Sequence, residues 1–318
     1  MKLYKYMSEA AGLAFLKEPA LRLTPGHCLN DPFECKVTEK SKSALRQLLG
    51  EHSSTNAAQD VFMANFENFL NSHGIISLSD NHEELLMWSH YADEHRGIVI
   101  EFEVDPNRPF DLFYNQPPES SDSHFSDVSY DKPRVFPKQI APDNLDEVRA
   151  HYYLSKYQKW KYEGEYRYVL PFTMGQFVVV NERTGALTST LNSLGISVTD
   201  GTESSSVREE IPLTTAPMDH FYAWINSNTT KTMFFTRVKE DRIGRIFLGA
   251  NCDIQKFLGI FDEHEFDSPY RPFVNPLTGE YLDIYKAALD QDEFKLEFTS
   301  LNHELAVTND AQQADGIL

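Results

Sequence analysis

Short apolar runs, each closed by a helix cap, a proline or a polar turn, constrain this chain more than any other feature, because they set strand length and exclude long apolar helices. Residues 3–7 read as a strand, Ser8 as the N-cap of a helix over 10–17 that Pro19 stops, and residues 20–24 as a second strand. Residues 25–34 hold Gly26, Asn30-Asp31 and Pro32 and predict a loop in which the Asn-Asp pair builds an Asx turn; a direct ligand role for Asn30 stays open beside it. Helical spacing of Leu45, Leu48 and Leu49, then Val61, Phe62, Phe66, Phe69 and Leu70, predicts helices over 41–73 that Gly74 closes. Residues 75–79 form an apolar strand. Asp80 can cap a helix over 83–93 that gathers Leu86, Met87, His90 and Tyr91 before Gly97 ends it, and residues 98–104 form the next strand.

Further along, residues 115–127 predict a polar, mobile excursion, residues 146–159 a basic and aromatic helix, and residues 162–172 a strand. The stretch 181–215, rich in Ser, Thr, Asn and Gly, reads as an insertion or a pair of edge strands with long turns. Residues 245–249 form another strand, a helix starts within 253–259, and the tail beyond His303 is polar and frayed. The pattern predicts an α+β fold with one main domain over 1–260, insertions near 41–73 and 181–230, and a C-terminal extension over 261–318.

A hydrophobic share of 41% suffices for a packed core. No apolar run approaches the roughly eighteen residues of a membrane helix, and the opening segment lacks a signal-peptide layout, which predicts a cytoplasmic protein without membrane attachment. Cys28, Cys35 and Cys252 show no metal-ligand spacing and read as reduced thiols. A formal net charge of -19 opposes the coating of duplex nucleic acid, though a small basic cleft remains compatible with it. The basic clusters Lys156, Lys159, Lys161 and Arg167, and Arg237, Lys239, Arg242 and Arg245, read as solvated faces that pair with the excess acids.

Four motif segments carry chemistry: Leu3-Tyr4-Lys5-Tyr6; Asn30-Asp31-Pro32-Phe33-Glu34; Ile76-Ser77-Leu78-Ser79 leading into Met87-Trp88-Ser89-His90-Tyr91-Ala92 and on to the strand at Ile98; and Trp160-Lys161-Tyr162-Glu163-Gly164-Glu165-Tyr166-Arg167. At these residues, and at the later Ile246-Phe247-Leu248-Gly249-Ala250-Asn251-Cys252, the chain resembles a bacterial family catalogued as domain of unknown function 2971. Met7 and Leu29 depart from the residues that family often carries, an arginine and a phenylalanine. Glu163 and Glu165 lie two apart on the predicted strand and share a face, where two carboxylates in one cleft raise the pKa of one of them. The alternative is an exposed strand face on which they pair with Lys161 and Arg167.

The order of the motifs resembles that of ADP-ribosyltransferases, which implies mixed sheets flanked by helices and a site that binds and cleaves NAD. The resemblance places Lys5 at the first-strand position that contacts NAD, although relatives of that class use Arg or His there. It puts Ser77 and Ser79 beside the nicotinamide ribose, Glu165 as the principal catalytic glutamate and Glu163 as the group that activates an acceptor. Tyr4 and Asn30 join the cofactor-binding set, and Tyr91 or Trp88 would stack on a ring. The implied enzyme modifies RNA, DNA or protein as a toxin or phage-defence effector, with an antitoxin or chaperone as a further partner.

Two other readings stay open: a non-catalytic module that binds a nucleotide or RNA, and a magnesium-dependent nuclease using Glu163, Glu165 and Asp31. His90 reads as a hydrogen-bonded core residue, and its spacing to His95 does not suit a zinc pair, so no metal site is expected. The chain lacks P-loop, Rossmann, hydrolase-elbow and zinc-protease signatures.

Overall fold

The structure, a computed structural model, describes residues 1–50, 63, 66–67, 70–118, 122–180, 209–212, 232–262 and 283–301. Strand β1 (Lys2–Met7) leads into helix α1 (Glu9–Lys17), where the Ser8 hydroxyl accepts a hydrogen bond from Ala11 N and Glu9 and Lys17 suit the two ends of the helix dipole. Strand β2 (Ala20–Pro25) follows, then a single 3-10 turn and the Asx loop: Asp31 Oδ1 accepts from Phe33 N at 2.9 Å, as the sequence predicts. Helix α2 spans Glu39–Gly50; the second helix expected before residue 73 falls largely outside the described residues.

Strand β3 (His73–Ser79), helix α3 (Leu85–Tyr91) and strand β4 (Ile98–Glu103) form the centre. The α3 cap is Glu84 and not Asp80, because the Asp80 carboxylate is turned toward Gly164. The chain leaves α3 through Asp93, Glu94 and His95, all with positive φ, before it reaches Gly97. Gly97 has a steric reason to be glycine, since a Cβ there would lie 2.0 Å from the Met7 carbonyl oxygen. Strand β5 (His124–Asp127) replaces part of the expected excursion, and helix α4 (Leu145–Tyr153) is shorter than the predicted one.

Strand β6 spans Glu165–Pro171, not 162–172, because residues 158–163 wind into a 3-10 helix that Gly164 ends with φ +48°. Strands β7 (Phe177–Val180) and β8 (Glu209–Pro212) pair antiparallel, so an edge hairpin flanks the expected insertion, whose residues 181–208 and 213–230 lie outside the described ones. Strand β9 (Thr232–Arg237), strand β10 (Ile243–Leu248), helix α5 (Ile254–Asp262), strand β11 (Ile284–Leu289) and strand β12 (Leu296–Ser300) complete the order. The last two come from the segment read as a C-terminal extension, yet they add to the main sheet beside β10; the expected frayed tail lies outside the described residues.

The twelve strands among the described residues form one large mixed sheet with the path β12-β11-β10-β4-β1-β3-β2-β9-β7-β8, while β6 and β5 branch from β3. One face buries Leu3, Leu21, Leu23, Ile76, Leu78, Ile100 and Phe102. The branch positions the site. On one edge β3 pairs with β6 along its whole length; on the other it meets β1 only at Tyr4↔Ser79 and β2 only at Thr24↔Ile75 and Pro25↔Gly74. Between those contacts β1 and β2 diverge from β3 and open a fork in the sheet.

Candidate functional site

A cleft of about 190 Å³ occupies the fork, lined among others by Tyr4, Lys5, Thr24, Cys28, Asn30, Glu34, Ser77, Ser79, Tyr91, Lys156, Glu163, Glu165 and Arg167. Residues from segments more than a hundred positions apart therefore meet there. Cross-strand register explains half of the assembly: Ser79 stands opposite Glu165 and Ser77 opposite Arg167, so all four share a face of the β3–β6 pair. Lys5 lies between Leu3 and Met7 on β1 and donates from Nζ to the Ser77 carbonyl at 2.8 Å, spanning the gap where the strands diverge.

Glu163 and Glu165 reach the cleft together, though not by strand alternation. Glu163 ends the 3-10 helix, Glu165 begins β6, and Gly164 turns the chain between them in a left-handed conformation. A Cβ at residue 164 would lie 2.0 Å from Asp80 Oδ1, so both conformation and space demand glycine. Both carboxylates are buried, at 3% and 4% exposure, which sets aside the exposed strand face as their environment.

Their partners form a shared network. Arg167, fully buried, donates from Nε to Glu165 Oε1 at 2.7 Å and from Nη2 to Glu165 Oε2 at 2.8 Å. It also bonds Glu34 through Nη2 and the Tyr153 carbonyl through Nη1 at 2.6 Å. Lys156 Nζ bonds Glu163 Oε2, lies 3.1 Å from Glu165 Oε2 and pairs with Glu34 at 3.4 Å. Tyr91 donates its hydroxyl to Glu163 Oε1 at 2.6 Å, with the Asn30 side chain bonded to the same hydroxyl. The backbone N–H of Glu165 donates to the Tyr130 hydroxyl at 3.0 Å.

Three carboxylates thus share two buried cations, and the two motif glutamates are driven apart in acidity. Burial alone would raise Glu165, but Arg167 and then Lys156 outweigh it and hold its carboxyl at about 2. For Glu163 burial wins: with the Glu165 charge adding to it and Lys156 opposing, its pKa is raised. Burial lowers the Lys5 ammonium to about 8, with Glu165 opposing the shift and Arg22 adding to it. One carboxylate is fixed as an anion while its neighbour is suited to exchanging a proton.

Other expected site residues are placed differently. Trp88 does not line the cleft; it is fully enclosed, donates Nε1 to the His82 carbonyl at 2.7 Å and packs edge-on against Tyr6. Tyr4 lines the cleft, but its hydroxyl faces Arg245 Nη2 at 3.5 Å, away from the carboxylates. Ser79 lines the cleft while its hydroxyl donates to the Asn81 carbonyl at 3.0 Å. Asp31 serves the Asx turn and is not among the lining residues. His90 is exposed, not in the core, and faces the Tyr162 hydroxyl at 3.2 Å.

The basic cluster divides. Lys159 and Lys161 are exposed as expected, whereas Lys156 and Arg167 are buried network members, because three carboxylates converge on them. Sequence reading passed over Lys156, Arg167 and Glu34 as site residues. Arg167 had a signal, since alternation along β6 places Glu165 and Arg167 on the face that continues into the buried Val169; Glu34 closes the Asn-Asp-Pro-Phe-Glu motif, and Lys156 had none.

Residues 87–168 match the model of a family described as protein of unknown function (DUF2971), the family that the ordered motifs resemble. It contains Tyr91, Lys156, Glu163, Glu165 and Arg167; Lys5, Asn30, Glu34, Ser77 and Ser79 reach the cleft from outside it. No curated protein and no solved structure matches the chain. Among the described residues no helix is long and apolar enough to cross a membrane.

Proposed function

We propose that the chain is an ADP-ribosyltransferase-like enzyme that cleaves NAD and transfers ADP-ribose to a macromolecule. The observation that carries this reading is the convergence of Glu163 and Glu165 with Lys5 and Ser77 in one cleft at the fork of the sheet. In the proposed reaction the glycosidic C–N bond of NAD breaks and nicotinamide leaves with the electron pair. Glu165, held ionised, faces the positive charge that develops on the ribose. The acceptor nucleophile then bonds to the same ribose carbon and gives its proton to Glu163, whose raised pKa suits that task. Tyr91, bonded to Glu163, orients that carboxylate. The cavity is smaller than the roughly 300–1,000 Å³ of sites that enclose a drug-sized ligand, so it admits one end of the dinucleotide and leaves the rest along the rim.

The acceptor is RNA, DNA or protein, and the biological setting that fits is a cytoplasmic toxin or phage-defence effector held silent by an antitoxin or chaperone. The test is nicotinamide release and label transfer from adenine-labelled NAD in cell extract. Transfer by the wild type and its loss in Glu165→Gln are expected; no release by the wild type in any extract would overturn the reading.

A second reading, a binding module for a nucleotide or RNA, is favoured by one feature: both Glu165 oxygens already accept from Arg167 and Lys156. It predicts thermal stabilisation by NAD without turnover. The nuclease reading loses Asp31 to the Asx turn, and the two glutamates are already engaged by cations of the chain.

A further inference from the structure

The two walls of the cleft carry opposite charge. The β6 wall presents Glu163 and Glu165 with their cations, whereas the β1–β2 wall presents Lys5 and, behind the lining residues Thr24 and Cys28, Arg22. Arg22 lies two residues before Thr24 on β2, so alternation puts both on the same side of the strand. Its Nε and Nη2 are closed off from solvent and find no acceptor among the described residues. The Cys28 thiol hydrogen-bonds the guanidinium, a weak acceptor that only partly offsets burial, and the Lys5 ammonium is a second cation beside it. Among the described residues neither Arg22 nor Lys5 forms an ion pair, although the Glu165 charge across the cleft acts on Lys5.

Burying guanidinium N–H groups without an acceptor is costly, and folded proteins keep very few such groups. The cost is offset when a ligand supplies the acceptor. Two adjacent cations select an anion over a sugar hydroxyl, and the planar fork of arginine matches two oxygens of a phosphate. We propose that Arg22 and Lys5 form a phosphate-binding site on the β1–β2 wall of the cleft, taking the phosphate of a nucleotide. The identification of that nucleotide as NAD, through its pyrophosphate, rests on the function proposed above; the phosphate site itself does not.

The test is titration calorimetry and thermal shift of the full chain with ADP-ribose, inorganic pyrophosphate and adenosine, for wild type, Arg22→Gln and Arg22→Lys. ADP-ribose and pyrophosphate should bind the wild type while adenosine, lacking phosphate, should bind far more weakly. Arg22→Gln should weaken both phosphate ligands by on the order of tenfold or more, and Arg22→Lys by less. Arg22→Gln without ligand should melt no lower than wild type, because it removes a half-buried charge that only the Cys28 thiol compensates. Equal affinity of wild type and Arg22→Gln for pyrophosphate and ADP-ribose overturns the proposal, as does failure of both to bind the wild type. Should Arg22→Gln fail to fold, Arg22 is structural and the proposal falls unless Arg22→Lys, folded, shows the weakened binding. Phosphate binding that depends on Arg22 without NAD cleavage upholds the site and overturns the enzyme; NAD cleavage indifferent to Arg22→Gln does the reverse.

Discussion

Among the described residues the sheet holds two buried carboxylate networks, and they are built on different terms. On β4, Glu101 is 1% exposed and meets Arg245 through Nε at 2.8 Å and Lys2 at 2.8 Å, with side chains of those partners 31% and 50% exposed. One acid has two solvated bases. In the cleft, Glu34, Glu163 and Glu165 share Lys156 and Arg167, whose side chains are 5% and 0% exposed. The first arrangement lowers the carboxyl pKa of its one acid, and Glu101 does not line the cleft, as suits a structural clamp. The second leaves one acid short of compensation beside a cavity, and that surplus is what separates a candidate reaction centre from a clamp.

The largest expected effect sets the two arginines against each other. Arg167→Met leaves Glu34 and Glu165 buried against one remaining cation and should cost about 3–5 kcal/mol in urea unfolding. Arg245→Met leaves Glu101 paired with Lys2 and should cost about 1 kcal/mol, since its guanidinium is partly solvated. Equal losses would break the distinction.

Gly164→Ala is next. It forces a side chain into a left-handed residue against Asp80 and should cost roughly 1–3 kcal/mol, together with the alignment of the two glutamates. Combining it with Asp80→Gly should recover the steric part alone, measurable as non-additivity of unfolding free energies.

The pH dependence of stability sharpens the comparison further. Glu165, at about 2 when folded against an ordinary 4.5, binds fewer protons folded than unfolded between those values; its contribution is complete above 4.5 and is lost as pH falls toward 2. Glu101 is also lowered and acts with the same sign. Glu163 is raised, so its contribution is complete below 4.5 and is lost as pH rises through its folded value. Glu163→Gln should therefore flatten the decline above 4.5, whereas Glu165→Gln and Glu101→Gln should flatten the loss on the acid side. A Glu163→Gln profile that changes only below 4.5 would contradict the division of roles. The smallest effect belongs to Lys2→Met, below about 1 kcal/mol, because that lysine is half exposed and Arg245 remains on Glu101.

Local signals carried much of the site. The Ser8 cap, the Asx turn at Asp31 and the strands β1 and β3 were legible because each depends on residues a few positions apart. The pairing of Glu163 with Glu165 was legible, but the device that aims them was not, since a strand and a 3-10 turn ended by a left-handed glycine can place residues two apart on one side alike. Trp88 misled because an aromatic residue in a motif looks the same whether it lines a cleft or fills the core behind it.

By itself the sequence determined the strands, the turn chemistry, and which side chains were available for acid–base or charge-stabilising work. Only the tertiary structure decided the charge state of that chemistry. Arg167 reaches Glu34 across 133 positions and Tyr91 reaches Glu163 across 72, and folding buries Glu34, Glu163 and Arg167. The acidity of a carboxylate depends on its burial and on the charges placed around it, and neither is a property of its neighbours in the chain.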